Sequence, residues 1–312
     1  MHILLIGKSG QIGHELIGSL KNLGRLTVWG RNELDLSRPA GIVDRVVALR
    51  PDLIVNAAAY TAVDKAESEQ DLAHTVNATA PGQLASAATQ CGAGLIHYST
   101  DYVFDGKKNQ PYTEKDTPCP VNAYGLSKLE GERAVSLNAE GHLILRVCGV
   151  YGLRGKNFLL TMLELARQKK SLRIVNDQWG APTWSREIAN ATADIIRTLS
   201  ADAPDDFLTN MQKLSGVYHL SCAGKTNWFE FADTIFSLSG LNPERCPIPS
   251  AEYPTPAERP KYWILSNEKI QRTFSVKLAD WKDTLTACLN EQRQIENLPL
   301  ISESPFPTRP NL

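Results

Sequence analysis

The sequence predicts an α/β fold: a Rossmann-type, doubly wound parallel sheet with a smaller C-terminal lobe. Over the first 150 residues, short apolar runs alternate with amphipathic stretches, which is the pattern of βαβ units. A glycine-rich turn at residues 7–13 joins the first apolar run to the first amphipathic stretch. Beyond residue 150 the alternation is lost, which indicates a second unit of different construction.

The elements of the first unit follow in order. Its candidate strands are five apolar runs, at residues 3–6, 26–29, 53–56, 95–99 and 143–147. Between them, apolar side chains at helical spacing and glycines beyond the ends predict helices at residues 11–23, 40–49 and 72–90.

The second unit mixes both element types without regular alternation. Helical spacing predicts helices at residues 158–169, 187–199, 228–238 and 278–289. Strands are expected at residues 172–175 and 217–220. The proline-rich stretch 247–260 predicts a loop, and the tail from Pro299 onward predicts little regular structure.

The composition is that of an ordinary globular protein, with 42% hydrophobic and 21% charged residues among 312. Lys and Arg number 33 and Asp and Glu number 34, so no positive excess favours nucleic acid or a membrane surface as partner. No apolar run approaches the ~18 residues of a membrane-spanning helix, and the N-terminus shows no signal-peptide pattern. We expect a cytoplasmic protein.

The six cysteines are dispersed, with no C-x-x-C pair and no histidine at metal-ligand spacing. They predict thiols in a reducing compartment. No metal site is expected from them.

The turn Gly7-Lys8-Ser9-Gly10-Gln11-Ile12-Gly13 follows a predicted strand and opens a predicted helix. In such a G-x-x-G-x-x-G turn, Gly7 makes the tight turn, Gly10 lets a pyrophosphate approach the backbone, and Gly13 packs the helix on the strand. Three glycines also occur in plain connecting turns, but the strand–turn–helix context favours dinucleotide binding.

The end of the second predicted strand selects between cofactors. It reads Trp29-Gly30-Arg31-Asn32 and lacks the acidic residue that usually binds a ribose 2′-hydroxyl. Arg31 stands beside the expected place, and a guanidinium suits a 2′-phosphate. NADPH is therefore the predicted cofactor and NADH the alternative. Arg31 as an exposed turn residue is the competing interpretation.

Tyr124 and Lys128 form a Y-x-x-x-K pair, whose i, i+4 spacing puts both on one helix face. The pair follows the fourth strand, whose carboxyl end carries Ser99-Thr100-Asp101, and ligands of such sheets bind at that end. We expect the Lys128 ammonium to lower the pKa of Tyr124 for proton exchange, and Thr100 to bond the same substrate oxygen.

Six separated motifs resemble the extended short-chain dehydrogenase/reductase family and, within it, the dTDP-4-dehydrorhamnose reductases. They are GKSGQIG at 7–13, NAAAYTAVDKAE at 56–67, HYSTDYVFDG at 97–106, NF at 157–158, NDQWGAPT at 176–183 and YPTPA at 253–257. The resemblance covers residues 3 to about 290. It implies reduction, with NADPH, of the 4-keto group of a dTDP-4-keto-6-deoxy-L-sugar, dTDP-4-dehydro-L-rhamnose, to dTDP-L-rhamnose.

The resemblance also implies roles for single residues. Tyr124 is the expected proton donor, Lys128 holds the nicotinamide ribose, and Thr100 stabilises the developing alkoxide. The expected cofactor residues are Gly7, Gly10, Gln11, Ile12, Gly13, Arg31, Asp35, Leu36, Ala59, Tyr60, Thr61, Tyr124 and Lys128. The expected sugar-nucleotide residues are Thr100, Asp101, Lys65 and Arg259. Lys65 also suits a plain helix start, and Arg259 an exposed surface.

These roles imply a division of the chain. An NADPH-binding domain is expected at residues 1–148 together with about 185–220. A substrate-binding lobe is expected at 149–184 and 221–290, and a tail at 291–312.

Two departures from the family lie on the substrate side. Residues 146–151 are RVCGVY where the family has RTSWVY, so Gly149 replaces a tryptophan that contacts the sugar. Residues 259–265 are RPKYWIL where the family has RPxNSxL. Three tryptophans are candidates to fill the gap at Gly149, namely Trp179, Trp184 and Trp263.

Some members of the family bind magnesium through acidic residues at a dimer contact. Glu15 matches one such position, but the partner region Ser185-Arg186-Glu187 matches poorly. Magnesium is therefore not expected, and a homodimer is the assembly that the resemblance suggests.

Two other functions stay open on the sequence. A sugar-nucleotide 4-epimerase or another ketoreductase of this fold would carry a similar site, and an epimerase would retain its NAD+ between cycles. A non-catalytic subunit, like the regulatory subunit of methionine adenosyltransferase, resembles the same family. Intact Thr100, Tyr124 and Lys128 favour an enzyme.

Overall fold

A parallel sheet runs through the middle of the computed structural model, which describes residues 1–201 and 206–301. The strands in chain order are β1 (His2–Ile6), β2 (Arg25–Trp29), β3 (Leu53–Asn56), β4 (Gly94–Thr100), β5 (His142–Val147), β6 (Val150–Tyr151), β7 (Ser171–Val175), β8 (Trp179–Gly180), β9 (Thr183–Trp184), β10 (Gly216–His219), β11 (Thr226–Asn227) and β12 (Glu244–Ile248). The central sheet has the order β10-β5-β4-β3-β1-β2, and its neighbouring strands are parallel. This confirms the predicted fold class.

Helices cover the sheet and build the rest of the chain. In chain order they are α1 (Gln11–Leu20), α2 (Ile42–Leu49), α3 (Val63–Ala66), α4 (Gln70–His74), α5 (Ala80–Cys91), α6 (Ala123–Asn138), α7 (Phe158–Gln168), α8 (Ser185–Leu199), α9 (Phe207–Lys213), α10 (Trp228–Ser239), α11 (Glu268–Phe274) and α12 (Trp281–Ile295). None of the helices described within residues 1–201 and 206–301 is long and apolar enough to cross a membrane.

Both faces of the sheet are buried, because successive residues of a strand point to opposite sides. Ile3 and Leu5 of β1 belong to the apolar cluster that includes side chains of α1 and α8. Leu4 and Ile6 belong to the cluster on the other face, with side chains of α2 and α5. The unbroken apolar strands predicted from the sequence follow from this double burial.

The strand order reverses at β1, which lies between β2 and β3. Ile6 pairs with Asn56 of β3, and Asn56 pairs with His97 of β4, so β4 continues past β3 to Thr100, where it still pairs with β5. A crevice forms at the carboxyl ends of the strands where the order of a doubly wound sheet reverses. The topology therefore places a ligand site beside the glycine turn.

In the described part of the chain, three small sheets lie outside the central one, formed by the pairs β6-β9, β7-β12 and β8-β11. Helix α10 packs on α7 and on α12. The chain returns to the central sheet in between, where α8 packs on α1 and β10 extends the sheet beyond β5.

The helix expected at residues 72–90 is interrupted by a π-helical turn, Thr75–Thr79, between α4 and α5. Within this turn, the Asn77 amide accepts a hydrogen bond from the Tyr60 N–H at 2.8 Å and donates to Ser127 Oγ at 3.0 Å. Such turns are rare, and no apolar periodicity in the sequence predicts them.

Two boundaries in the C-terminal part differ from the prediction. The loop expected at 247–260 is wrong at its start, because Pro247 lies in β12 opposite Ile174. Proline is tolerated there because β12 is an edge strand with β7 as its neighbour. Helix α12 continues to Ile295, past residue 291 where the tail was expected. Residues 302–312 of that tail lie outside the described part of the chain.

Candidate active site

A cleft of about 2410 Å³ opens along the carboxyl ends of β1, β3, β4 and β5. The glycine turn, the stretch after β3, Thr100 with Asp101, and residues 259–263 of the second unit share its walls. Of the predicted cofactor and sugar-nucleotide residues, all line this cleft except Gly13 and Tyr60. The structure thus brings together residues that are widely separated in the sequence.

The three glycines of the turn have different surroundings. Gly7 has φ +97°, and a Cβ there would lie 2.6 Å from Ala58 N. A Cβ on Gly13 would lie 2.1 Å from Gly7 O, so that glycine packs the helix and lines no cleft. A Cβ on Gly10 would find its nearest atom, Gly7 O, at an ordinary 3.5 Å. No protein atom therefore crowds Gly10, and a ligand such as a pyrophosphate can approach its backbone closely.

The N-terminus of α1 faces the same space. No side chain in the described ranges caps this helix, and its first turn contains no acidic residue. The backbone N–H groups of Gln11 and Ile12 are free to meet an anion, which the helix dipole also favours. The turn fits the pyrophosphate of a dinucleotide.

Arg31 lies at the rim of the cleft, with 82% of its side chain exposed and Nε 3.9 Å from Asp35 Oδ1. The Asp35 carboxylate accepts hydrogen bonds from the Ser37 hydroxyl and N–H, which lower its pKa. An acidic residue that the motif at 29–32 does not include, Glu33, lies near this strand end. Its carboxylate is occupied by Lys8 Nζ at 2.8 Å and Gly30 N at 2.7 Å.

Tyr60 was expected along the cofactor, and it is not among the residues that line the cleft. Its hydroxyl donates to Glu69 Oε2 at 2.7 Å. Burial and this carboxylate raise the pKa of Tyr60 to about 12. The Tyr60 ring also packs against the cluster that contains Tyr124, and its place along the cofactor stays a prediction.

Tyr124 lies in the first turn of α6, where the Asn122 side chain accepts the Gly125 N–H at 2.8 Å and caps the helix. The phenol is buried, and its ring meets Tyr102 edge-on at 5.4 Å between centroids. Burial raises the pKa of Tyr124 well above its ordinary value, while a hydrogen bond with Thr100 opposes the rise. The phenol is therefore neutral and able to give a proton.

Lys128 lies one turn further along α6 and is 2% exposed. Its Nζ donates to Tyr98 O at 2.6 Å and lies 3.4 Å from His97 Nε2. Burial lowers the pKa of Lys128 to about 8, against the opposing effect of Glu132. The expectation that Lys128 lowers the pKa of Tyr124 is wrong in this structure, because burial dominates that pKa and the ammonium is directed at β4.

Thr100 is the last residue of β4 and Asp101 follows it, and both are nearly inaccessible. Thr100 Oγ1 donates to Asp101 Oδ1 at 3.1 Å and accepts the Tyr102 N–H at 3.2 Å. Burial raises the pKa of Asp101 to about 7. The carboxyl group therefore changes charge near neutral pH beside the Tyr124 phenol.

Lys65 and Arg259 border the other side of the cleft. Arg259 Nη2 binds Asp64 Oδ2 at 2.9 Å, and this guanidinium lowers the pKa of Asp64. Arg259 is thus part of the cleft wall and belongs to an ion pair rather than to the open surface.

Comparisons with known proteins agree with this geometry. A family model described as the RmlD substrate binding domain matches residues 1–294. A dTDP-4-dehydrorhamnose reductase of Burkholderia thailandensis is 46% identical over 299 residues, which cover 93% of this chain and 99% of the relative. The Escherichia coli K12 enzyme of the same name is 42% identical over 305 residues, 93% and 98% of the two chains.

The chain belongs to the dTDP-4-dehydrorhamnose reductase family. Two solved structures of reductases with this name share its fold. The Clostridium acetobutylicum structure has a TM-score of 0.86 at 35% identity and covers 94% of this chain and 100% of its own. The Bacillus anthracis structure, in complex with NADP, has a TM-score of 0.84 at 32% identity and covers 93% and 99%.

Gly149 is one of the two departures from the dTDP-4-dehydrorhamnose reductase family that the sequence motifs indicated, and the structure places Trp263 against it. A Cβ on Gly149 would lie 2.8 Å from the Trp263 ring, and one on Gly180 would lie 2.0 Å from it. Trp263 stacks on Trp228 at 5.1 Å between centroids and lines the cleft. Of the candidates named from the sequence, Trp179 also lines the cleft, and Trp184 does not.

Magnesium, which some members of the family bind, does not fit the residues present here. Arg186 lies between Glu15 and Glu291, with Nη1 2.8 Å from Glu291 Oε2 and Nε bonded to Glu15. A guanidinium thus occupies the space between the two carboxylates. Across residues 1–201 and 206–301, no cluster of three His, Cys, Asp or Glu side chains could hold a metal ion.

Proposed function

We propose that this chain reduces the 4-keto group of dTDP-4-dehydro-L-rhamnose with NADPH and forms dTDP-L-rhamnose. The observation on which this rests is the meeting of Thr100, Tyr124 and Lys128 in one cleft with an uncapped glycine turn. Relatives 46% and 42% identical over nearly their whole length carry the name of this activity. Hydride transfer to a sugar ketone needs that combination of dinucleotide site and proton donor.

The proposed cofactor site is the rim at the carboxyl ends of β3, β1 and β2. The N–H groups of Gln11 and Ile12 would receive the pyrophosphate, and Arg31 would receive a 2′-phosphate. The relative from Bacillus anthracis was solved with NADP, which supports NADPH over NADH. When bound, NADPH supplies the hydride for the carbonyl carbon.

Tyr124 supplies the proton for the carbonyl oxygen as that oxygen gains negative charge. A phenol whose pKa is raised by burial stays protonated until this charge develops. The Thr100 hydroxyl lowers the pKa of this phenol against the effect of burial, and it would orient the phenol toward the same oxygen. An ammonium has three donors, and Lys128 directs one at Tyr98 O, which leaves donors for a ribose hydroxyl of the cofactor.

The remaining assignments follow the walls of the cleft. Asp101, Lys65 and Arg259 would contact the sugar nucleotide, with the Arg259–Asp64 pair presenting its guanidinium to a diphosphate. The cofactor domain is proposed as residues 1–148 with about 185–220, and the substrate lobe as 149–184 with 221–290. A cytoplasmic homodimer belongs to the same proposal, and light scattering of the purified chain tests the dimer.

The test is NADPH oxidation by the purified chain with the 4-keto sugar nucleotide generated in situ by the preceding enzymes. We expect substrate-dependent oxidation, with NADPH preferred over NADH. An epimerase would instead release a changed sugar with no net oxidation and would retain its cofactor through purification. A regulatory subunit would show no turnover and would copurify with its partner enzyme. Either result would overturn the proposal.

A further inference from the structure

A second polar cluster lies directly behind the reacting groups, on the α6 side of the sheet. Its centre is Glu132, which is 4% exposed and lies one helical turn beyond Lys128. Its carboxylate accepts the Ser99 hydroxyl at 2.5 Å. It also accepts two hydrogen bonds from Arg146, from Nε at 2.8 Å and from Nη2 at 2.6 Å.

These partners belong to β4, β5 and α6, and two of these elements, β4 and α6, bear the proposed reacting groups. Ser99 immediately precedes Thr100 at the end of β4, and Arg146 is the residue of the neighbouring strand β5 that pairs with Ser99. Helix α6 bears Tyr124, Lys128 and Glu132 at successive i, i+4 positions, which lie on one face. One carboxylate therefore ties both strand ends to the helix that presents the phenol and the ammonium.

The cluster is closed behind Arg146. The guanidinium lies over the Phe104 ring at 5.0 Å, and its Nη1 is 3.5 Å from His219 Nε2. His219 is neutral, because burial and Arg146 lower its pKa to about 3, and its Nδ1 is 3.1 Å from Tyr112 O. Every polar group of the cluster has a partner, so the geometry is held from all sides.

We propose that Glu132 is a positioning residue, whose bonds to Ser99 and Arg146 set the distance between Thr100 and the Tyr124 phenol. This inference rests on the proposed function, because that function gives the distance its importance. A buried ion pair need not stabilise a fold more than apolar side chains of equal volume would. A placement error of about 1 Å, in contrast, can cost two orders of magnitude in rate.

Ser99→Ala is the sharpest probe, because it removes the bond from β4 and leaves the Glu132–Arg146 pair intact. We expect kcat to fall about tenfold while KM for NADPH stays within twofold. The matched control is Thr192→Val. Thr192 lies on α8 and bonds the Tyr98 hydroxyl at 2.7 Å, so this variant removes an equally buried bond to the same strand from its opposite face. It is expected to keep kcat within twofold.

A charge-free double variant, Glu132→Gln with Arg146→Met, separates positioning from folding. It removes both charges at similar volume, so we expect a melting temperature near that of the wild type and a kcat at least tenfold lower. Single Glu132→Gln would leave a buried guanidinium unpaired and is the variant most liable to unfold. Full turnover in the double variant or in Ser99→Ala would overturn the proposal, and so would equal losses in Ser99→Ala and Thr192→Val.

Deuterium exchange of backbone amides tests the same idea without substrate. Ser99→Ala should speed exchange in the peptide that contains residues 100–104, whereas Thr192→Val should leave that peptide unchanged. If the wild type turned over no 4-keto sugar nucleotide, the proposed function would fail, and the exchange result would still decide the positioning role. Equal exchange in both variants would contradict it.

Discussion

Replacement of Trp263 by alanine should weaken binding of the sugar nucleotide and leave binding of the cofactor unchanged. The indole is 5% exposed, lies against the bare backbones of Gly149 and Gly180, and lines the cleft. Gly149 lies two residues beyond Val147, which pairs with Thr100, so the ring lies near the proposed reacting groups. Loss of one aromatic packing contact with the sugar corresponds to about 1.4 kcal/mol, or ~10-fold in KM for the sugar nucleotide. KM for NADPH should not change.

Steady-state kinetics of three variants, Trp263→Ala, Trp263→Phe and Trp184→Phe, isolates this effect. Trp263→Phe keeps an aromatic face and should lie between the wild type and Trp263→Ala. Trp184→Phe is the matched control, because Trp184 is equally buried at 5% but lies outside the cleft lining. A large buried ring replaced by alanine also costs about 3–5 kcal/mol of stability, so assays should run well below the melting temperature.

Gly149→Ala extends the test to a double-mutant cycle. Its methyl group would lie 2.8 Å from the Trp263 ring and must displace it, so KM for the sugar nucleotide should rise in this variant too. In a Trp263→Ala background the same substitution should add much less, because the ring is already gone. Additive effects, or an unchanged KM in Trp263→Ala, would refute the inference that Trp263 fills the place left at Gly149.

Four further predictions concern the reacting groups and the cofactor. Tyr124→Phe should lower kcat by about 10²–10⁴ and leave NADPH affinity nearly unchanged, as measured by turnover and by fluorescence titration; near-normal turnover would exclude Tyr124 as the proton donor. Lys128→Met should lower kcat and raise KM for NADPH together, and a change in one alone would disprove its double role. Arg31→Ala should reduce the preference for NADPH over NADH by about 1.5 kcal/mol, the lower end for a charged hydrogen bond because the side chain is 82% exposed; equal use of both cofactors by the wild type would contradict this. Burial raises the pKa of Asp101 to about 7 from 3.8, so the folded state keeps a proton that the unfolded chain has lost, and stability falls as pH rises between these values. The difference in free energy of unfolding between Asp101→Asn and the wild type, measured in urea, should therefore be about 2 kcal/mol more in favour of the variant at pH 8 than at pH 5.5. A difference that does not change with pH would argue against a buried, titrating carboxyl.

The central sheet was predictable because its strands are buried on both faces, which gives unbroken apolar runs, and because a glycine-rich turn follows the first strand. Gly7 and Gly13 have backbone surroundings that no larger residue fits, and that constraint is visible in the sequence. The edge strand β12 was not predictable, since Pro247 signals a loop and its pairing with β7 depends on a segment about 70 residues away.

The sequence predicted which residues form the site better than it predicted the hydrogen bonds between them. The spacing of Tyr124 and Lys128 fixed a shared helix face, but the acceptor of the ammonium is a β4 carbonyl, which no side-chain pattern encodes. Trp263 was one of three candidates for the Gly149 gap, and only tertiary packing distinguishes it. The position of Glu132 four residues beyond Lys128 is visible in the sequence. Its role depends on the hydrogen bonds with Ser99 and Arg146, which only the tertiary structure shows.

The most direct test of the proposed reaction follows the hydride itself. The purified chain is supplied with NADPH deuterated at C4 of the nicotinamide, on the transferred face, and with the 4-keto sugar nucleotide generated in situ. Mass spectrometry and NMR of the product should find one deuterium at C4 of the sugar, and Tyr124→Phe should slow its appearance by the same factor as kcat. Deuterium at another carbon, or a product free of deuterium while the sugar is converted, would contradict the account.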